Sequence, residues 1–524
     1  MRRCLRGRPD RVLRLALAAS FLVLPGMGLF TPAASAEEWS FVGARYQGMG
    51  GAGVAMVDDE HASYWNPGAL AFTRSYGVAL PVGAQVAAQG DVLSQVDRVT
   101  EFIDGLGGAT YDQLVADLQA GNPLDATQLG TALDLAAVQL PALDQPGSGL
   151  VGSANASLLL RYQHVAVSGI GLAHFGADPV FDRQNLSVSS LTAGAAIDSL
   201  INPGTAMIRY VGPDRPDVVA DVTALFIAAG ATAPNEQAEE YVFAADQAGV
   251  NVRSAGVARN LVDIARATID GTGSLADNAS GTFVRGLSVQ EVGVAYGHPL
   301  PIPIIGGKIG IGAQIKYLYG TTFNKFVRFD EIGSASDLVD EIRDADRRET
   351  SHTASLDLGV LVKPFEWLRV GLTARNVTSP EFDLARDPAR PGSRSKLTLD
   401  PQVRFGAAVW ILPNWAVAFD ADLTENESQL VDGFSSRIVS LGTELRIPIW
   451  KLALALRGGA YLNTEADEPD EVALTGGIGL RVFDFAFDLA AGASPKTERV
   501  AAANDQQIPS RMNVSAMLSF RREF

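Results

Sequence analysis

From about residue 286 onward, apolar residues recur at every second position for about ten residues at a time. Ile309, Ile311, Ala313, Ile315 and Tyr317 alternate with Gly310, Gly312, Gln314 and Lys316. Trp415, Val417, Phe419, Ala421 and Leu423 alternate with Ala416, Ala418, Asp420, Asp422 and Thr424. This is the period and length of a membrane-crossing β-strand. In lipid every backbone donor and acceptor needs a partner within the protein, which leaves helices and closed barrels as spanning structures. Beyond the N-terminal leader no stretch is apolar for the roughly 20 residues a spanning helix requires. The expected fold class is therefore all-β and transmembrane: a 14-stranded antiparallel outer-membrane β-barrel with an N-terminal lumen hatch and partly helical extracellular insertions.

The spacing predicts strands near 75–87, 153–162, 165–176, 286–297, 307–320, 352–363, 367–377, 401–411, 415–424, 436–447, 451–462, 472–482, 485–494 and 511–521. Their connections alternate in length, as they do between the periplasmic and extracellular ends of such barrels. Phe483-Asp484, Pro448-Ile449-Trp450, Leu412-Pro413-Asn414 and Pro364-Phe365-Glu366 are short, and 298–306 is compact and proline-rich. The intervening connections are long, and the two largest insertions, near 88–152 and 177–285, fall on the long-loop side. A soluble β-sandwich would not require that alternation. In the last strand Val514, Ala516, Leu518 and Phe520 share one parity, which Phe524 keeps. Phe520 and Phe524 are the expected signal for the barrel-assembly machinery. Arg522 breaks that parity, close enough to the chain end to reach headgroups.

The first 36 residues read as a secretory signal. Six arginines precede an apolar run from Leu15 to Phe30, and Ala34-Ser35-Ala36 fits a cleavage site. The single cysteine, Cys4, lies in that leader, so the mature chain is expected to lack disulfides, thiolate metal sites and cysteine nucleophiles. The net charge of −17 disfavours nonspecific nucleic-acid binding. The acidic run Glu465-Ala466-Asp467-Glu468-Pro469-Asp470-Glu471 is either a solvated loop or a binder of divalent cations between lipopolysaccharides. Outer-membrane lipid and lipopolysaccharide are the expected surroundings. Within the second insertion, 214–230, 235–249 and 252–270 have helical spacing, punctuated by Pro216, Gly230, Pro234 and Gly271. Residues 94–140 show a weaker version, with Val96, Val99, Phe102, Ile103 and Leu106 on one face.

Residues 37–73 are the expected hatch and 74–524 the barrel. Gly48, Gly50, Gly51 and Gly53 form a glycine-rich run, followed by Tyr64-Trp65-Asn66-Pro67. No strand–loop–helix context or Lys-Ser/Thr accompanies the glycines, so a phosphate loop is a poor reading. Glycines also let backbones approach closely, which suits a segment folded back into a lumen.

This segment resembles the N-terminal region of barrels like the long-chain fatty acid transporter (FadL). The closer resemblance is to the outer-membrane family named conjugal transfer protein TraF. It rests further on Leu356-Asp357-Leu358-Gly359, Gly371-Leu372-Thr373-Ala374-Arg375-Asn376-Val377, Asp400-Pro401-Gln402-Val403-Arg404-Phe405-Gly406, Phe419-Asp420-Ala421-Asp422-Leu423-Thr424 and Leu456-Arg457-Gly458-Gly459-Ala460-Tyr461. It covers most of the chain outside the insertions. In the barrels it resembles, the glycine run and Asn66-Pro67 would belong to a lumen-filling hatch. The resemblance implies an outer-membrane channel or transporter for hydrophobic small molecules, with a hydrophobic ligand as partner. The alternative is a non-transport component of a conjugation or secretion apparatus, or a structural barrel. The chain has no Cys-x-x-Cys, so thioredoxin-like redox chemistry is not expected.

Inward parity places Arg369, Arg375, Arg404, Asp420 and Asp422 in the lumen. Such charges pair to offset desolvation, or tune passage. The five histidines form no close pair of metal-ligand type, and no spacing singles out a Ser–His pair. No catalytic, cofactor or metal site is expected, and the chain is not expected to be an enzyme.

Overall fold

The period-two segments form fourteen antiparallel strands that close into a barrel. The computed structural model describes residues 33–90, 108–145, 147–304, 307–328, 348–386, 394–465, 472–500 and 506–523, with residues 92 and 95. The barrel strands are β1 (Ser75–Gln89), β2 (Gly149–Tyr162), β3 (Val165–Val180), β4 (Gly281–Ile304), β5 (Gly307–Arg328), β6 (Arg348–Phe365) and β7 (Leu368–Arg375). They continue as β8 (Gln402–Leu412), β9 (Trp415–Asp422), β10 (Ile438–Ile449), β11 (Leu452–Asn463), β12 (Ala473–Val482), β13 (Phe485–Ala493) and β14 (Arg511–Glu523). Each pairs with its chain neighbours, and β14 pairs with β1 from Ser75–Glu523 to Ala87–Arg511. Closure leaves no sheet edge to satisfy in lipid.

Alternate residues face outward. Leu80, Val82, Val292, Val294, Ile315, Leu456, Ile478 and Val514 are among the exposed apolar side chains. Trp450 and Phe483 stand out from the short turns with left-handed backbones, φ 56° and 55°. Phe365 and Trp367 stack at 5.2 Å beside another short turn. Aromatic rings at a barrel rim suit the headgroup boundary. The chain is thus an outer-membrane β-barrel, with the short turns marking its periplasmic end.

The 298–306 segment departs from expectation. Strand β4 continues through its prolines to Ile304, with a register shift between Leu300 and Ile304. Strand pairing likewise extends β1 to Gln89, β2 back to Gly149, β3 to Val180 and β4 back to Gly281, so the two insertions are shorter than their sequence bounds.

The described parts of the insertions form one helical body. The first contributes α1 (Gly108–Ala120) and α2 (Ala126–Asp134), the latter started by a capping box between Asp125 and Gln128. The second contributes α3 (Ala193–Leu200), α4 (Val218–Ala229), α5 (Pro234–Gln247) and α6 (Ala255–Asp270). Gly230 and Gly271 end α4 and α6 in left-handed conformation. Leu133 from α2, Val222 and Phe226 from α4, Tyr241 from α5 and Ile264 from α6 share one buried core. Asn260 Nδ2 donates to the Ala137 carbonyl at 2.8 Å, joining the two insertions. Val96, Val99, Phe102, Ile103 and Leu106 lie outside the described residues, as do residues 466–471 of the acidic run.

Two loops fold into the extracellular mouth. Phe382, Leu384 and Leu397 from one, and Leu430 from the other, pack on the inward-facing Leu287, Val289 and Leu318. Val431 and Phe434 pack on Ala87 and Val151.

Candidate functional site

The lumen is filled by the chain's own N-terminal segment. Its core is aromatic: Trp39 stacks on Trp65 at 6.2 Å, and Tyr46, Phe41 and Tyr64 surround Trp65. Trp65 Nε1 donates to the Val42 carbonyl at 2.9 Å, and the Tyr64 hydroxyl to that of Ser40 at 2.7 Å. These bonds tie residues 40–42 to the helical turn Ala62–Trp65, and the Tyr46 ring of the turn Ala44–Gln47 packs 5.2 Å from that of Trp65.

Asn66-Pro67 joins this plug to the wall. Asn66 Oδ1 accepts from the Gly68 amide at 2.9 Å, while Nδ2 donates to the carbonyls of Val54 at 3.1 Å and Val360 of β6 at 3.0 Å. Pro67 opens a single 3-10 segment, where its missing N–H needs no partner. The amides of Gly53 and Val54 both donate to Asp420 Oδ2 at 2.8 Å.

The glycines of the plug meet glycines of the wall. A Cβ on Gly48 would lie 3.1 Å from Gly477 Cα, and one on Gly50 would lie 2.7 Å from the Ala460 carbonyl oxygen. Gly442 and Gly459 face Met49, Gly310 and Gly359 face Gly68, and Gly406 faces Val54. These wall glycines pair across strands, Gly312 with Gly359, Gly371 with Gly406 and Gly442 with Gly459, so they form a belt. Side chains there would hold the plug backbone off the wall. Gly51 is also close-packed, against the Phe41 ring, with φ 84°.

Charged layers lie above and below the belt. On the extracellular side Arg404 meets Asp422 at 2.7 Å, and Lys316 meets Asp357 at 3.0 Å. Arg375 meets Glu291 at 3.3 Å and stacks 4.0 Å from the Tyr64 ring. On the periplasmic side Arg45 of the plug contacts Asp58 at 2.6 Å, Asp59 at 2.9 Å and Glu444 of β10 through two nitrogens at 3.0 Å. Glu444 also binds Arg446 and Arg457 at 2.7 and 2.8 Å. Glu60 binds Arg161 of β2 at 3.0 Å and Arg521 of β14 at 3.1 Å. Burial would raise the Asp58 carboxyl, but Arg45, Arg446, Arg369 and Arg521 hold it far below the usual carboxylate range. Burial opposes ionisation of Asp59 too, yet His61, 2.9 Å away, and Arg45 and Arg521 keep it low.

All five lumen charges picked by parity point inward. Asp420 binds the plug directly, Arg369 approaches Asp58 at 3.8 Å, and Arg375 and Arg404 stack on plug rings. Gly48, Gly50, Gly51, Gly53, Asn66 and Pro67 are all buried in the plug contact. Phe520 lies on the outer face, 5.1 Å from the Phe485 ring, whereas Phe524 is outside the described residues. Sequence reading missed the ion partners Glu291, Lys316, Asp357, Glu444, Arg457 and Arg521. Their inward parity was the available signal. Arg45, Asp58, Asp59 and Glu60 carried none, because the plug has no simple period. Among the described residues no group of three or more His, Cys, Asp and Glu is placed to hold a metal ion.

Fold and lumen together define a plugged outer-membrane β-barrel. Residues 216–422 match the family model described as "F plasmid transfer operon, TraF, protein", the family the sequence resembles. The matched span takes in α4 to α6 of the second insertion, beyond the motifs that carry the resemblance, and stops short of the glycine-rich plug. The solved toluene transporter TbuX of Ralstonia pickettii is similar at 10% identity and TM-score 0.40, over 92% of this chain and 98% of that one. The Pseudomonas putida toluene transporter TodX is similar at 10% identity and TM-score 0.38, over 94% and 100%. A Pseudomonas aeruginosa FadL homologue is similar at 8% identity and TM-score 0.37, over 94% and 99%. No curated protein matches the chain.

Proposed function

We propose that this barrel admits small apolar molecules across the outer membrane, and that its plug moves to let them pass. In this reading residues 1–36 are a cleaved leader, 37–73 the plug and 74–524 the barrel, with the helical body exposed to the cell exterior. Phe520 and Phe524 serve recognition by the barrel-assembly machinery. One observation carries the reading: the obstruction is a separate segment ahead of β1, seated on a belt of glycines, rather than side chains of the wall itself. Such a segment can shift without unfolding the barrel.

A second reading has its own support. The ion pairs of Arg45 and Glu60 tie the plug to β2, β10 and β14, which suits a static barrel anchoring envelope machinery. A disulfide lock separates the two. Ser40 Oγ of the plug donates to Ser153 Oγ of β2 at 3.2 Å, and both side chains are buried. Ser40→Cys with Ser153→Cys ties the plug to the wall, in a chain whose one natural cysteine is Cys4. Uptake of labelled toluene and oleate is measured in a deletion strain carrying each form. Gated passage expects uptake with the native chain, a block in the oxidised double variant, and recovery on reduction. Equal uptake in the deletion strain and the complemented strain for every apolar compound sinks it.

A further inference from the structure

Beneath the plug, at the periplasmic end of the lumen, lies a cavity of about 450 Å³. Six cationic side chains line it, Arg74, Lys363, Arg369, Arg446, Arg481 and Arg521, against two carboxylates, Asp58 and Glu523. The imbalance runs opposite to the chain as a whole, which carries −17. Phe72 and Leu361 give the cavity an apolar side. A smaller cavity of about 80 Å³ shares Arg446, Arg481 and Arg521.

Two of these six cations are committed to acids of the protein. Arg446 is held by Glu444 at 2.7 Å and Arg521 by Glu60 at 3.1 Å. Arg369 reaches Asp58 only at 3.8 Å, and its Nη1 is buried without a hydrogen-bond partner. Lys363 lies over the Phe72 ring at 4.2 Å and has no ion pair among the described residues, and neither does Arg481. Half-buried around one cavity, the uncompensated cations Lys363, Arg369 and Arg481 repel one another, and an exogenous anion relieves them. A concave site lined by one sign of charge also concentrates counter-ions. Asp58 shows what the cluster accepts: its two oxygens lie 3.8 Å from Arg369 and 4.0 Å from Arg521. Guanidinium forks match the oxygens of phosphate groups better than they match a halide.

We propose that this cavity is a binding site for a phosphate-type oxyanion, held by Lys363, Arg369 and Arg481, with Phe72 and Leu361 available to an apolar substituent. The oxyanion is either free phosphate or the headgroup of a phospholipid of the inner leaflet. Lys363, Arg369 and Arg481 all belong to barrel strands, so the proposal does not rest on plug movement.

The test is calorimetry on the full processed chain in neutral detergent and chloride buffer. The two probes are inorganic phosphate and dihexanoyl phosphatidylglycerol. The variants are Lys363→Gln, Arg481→Gln and their combination. Arg285→Gln, at the far end where Arg285 pairs with Asp178 at 3.0 Å, is the control. Each single variant is expected to weaken binding severalfold and the pair at least tenfold, with the control unchanged. Binding of both probes, or of phosphate alone, assigns a free-anion site, and binding of the lipid alone assigns a headgroup site. Arg481→Lys keeps the charge and tests the fork should the glutamine variants fail to fold; it should retain part of the affinity. Absence of binding by both probes, or native affinity in every cavity variant, overturns the proposal.

Discussion

Arg45→Met should unseat the plug. Arg45 is 4% exposed and is the shared counter-ion of Asp58, Asp59 and Glu444. Removing one partner of a buried ion pair destabilises by about 3–5 kcal/mol, because the remaining charges stay buried. Here the stranded acids keep other contacts: Glu444 retains Arg446 and Arg457, Asp59 retains His61 and Arg521, and Asp58 retains weaker approaches to Arg369 and Arg521. The lower bound of about 3 kcal/mol is therefore the working value. At about 1.4 kcal/mol per factor of ten, the undocked population rises roughly 10²-fold. A Ser40→Cys reporter, buried in the docked plug, reads that population through its rate of maleimide labelling in outer-membrane vesicles. Labelling about a hundredfold faster than in the parent is expected. Glu444→Gln, which leaves Arg45 with two carboxylates, should give a smaller increase. A folded Arg45→Met barrel labelling within threefold of its parent refutes the idea that these ion pairs hold the plug.

Three further outcomes follow from the same geometry. Gly459→Ala puts a methyl 2.4 Å from the Met49 backbone carbon and should raise labelling of the reporter, whereas Gly458→Ala, with nothing within 4 Å, should leave it unchanged. The Asp58 carboxyl, depressed in the docked state, stabilises docking above its unfolded value near pH 4 and loses that contribution as pH falls through its folded value. Reporter labelling should then climb as pH falls below about 4, and Asp58→Asn should remove that rise. Ile478 is 49% exposed and its strand partners Leu456 and Leu489 also face outward, so Ile478→Arg should cost about 2–4 kcal/mol near the bilayer midplane, read by denaturant titration in lipid vesicles.

The wall was legible because its rule is local. A residue's parity sets its side of the sheet, so Arg369, Arg375, Arg404, Asp420 and Asp422 could be placed in the lumen from the sequence alone. The plug seat was legible on one side only. Gly48 to Gly53 signalled close approach, but the answering wall glycines sit in separate strands and look like ordinary small residues of a β-sheet. Only cross-strand register brings Gly442 beside Gly459 and Gly371 beside Gly406. The partners of Arg45 were hidden for the same reason, since Glu444 lies 399 residues away along the chain. Strand ends near the insertions were misjudged because pairing there outlasts the alternation: Gly281 to Arg285 pair with β3 where no apolar rhythm marks a strand.

The closure of β14 on β1 also sets an order of events. The plug immediately precedes β1, so it is made first, yet Gln47 donates to Asn513 of the last strand at 2.8 Å, and Glu60 is held by Arg521 of that strand. Contacts of such sequence separation form late, because the intervening chain must first be ordered. These plug contacts therefore wait for the last strand, and a nascent barrel lacking its final hairpin would hold the plug only through the other strands, such as Asp420 of β9 and Glu444 of β10. Full seating of this segment is thus reached only by chains whose cylinder has shut.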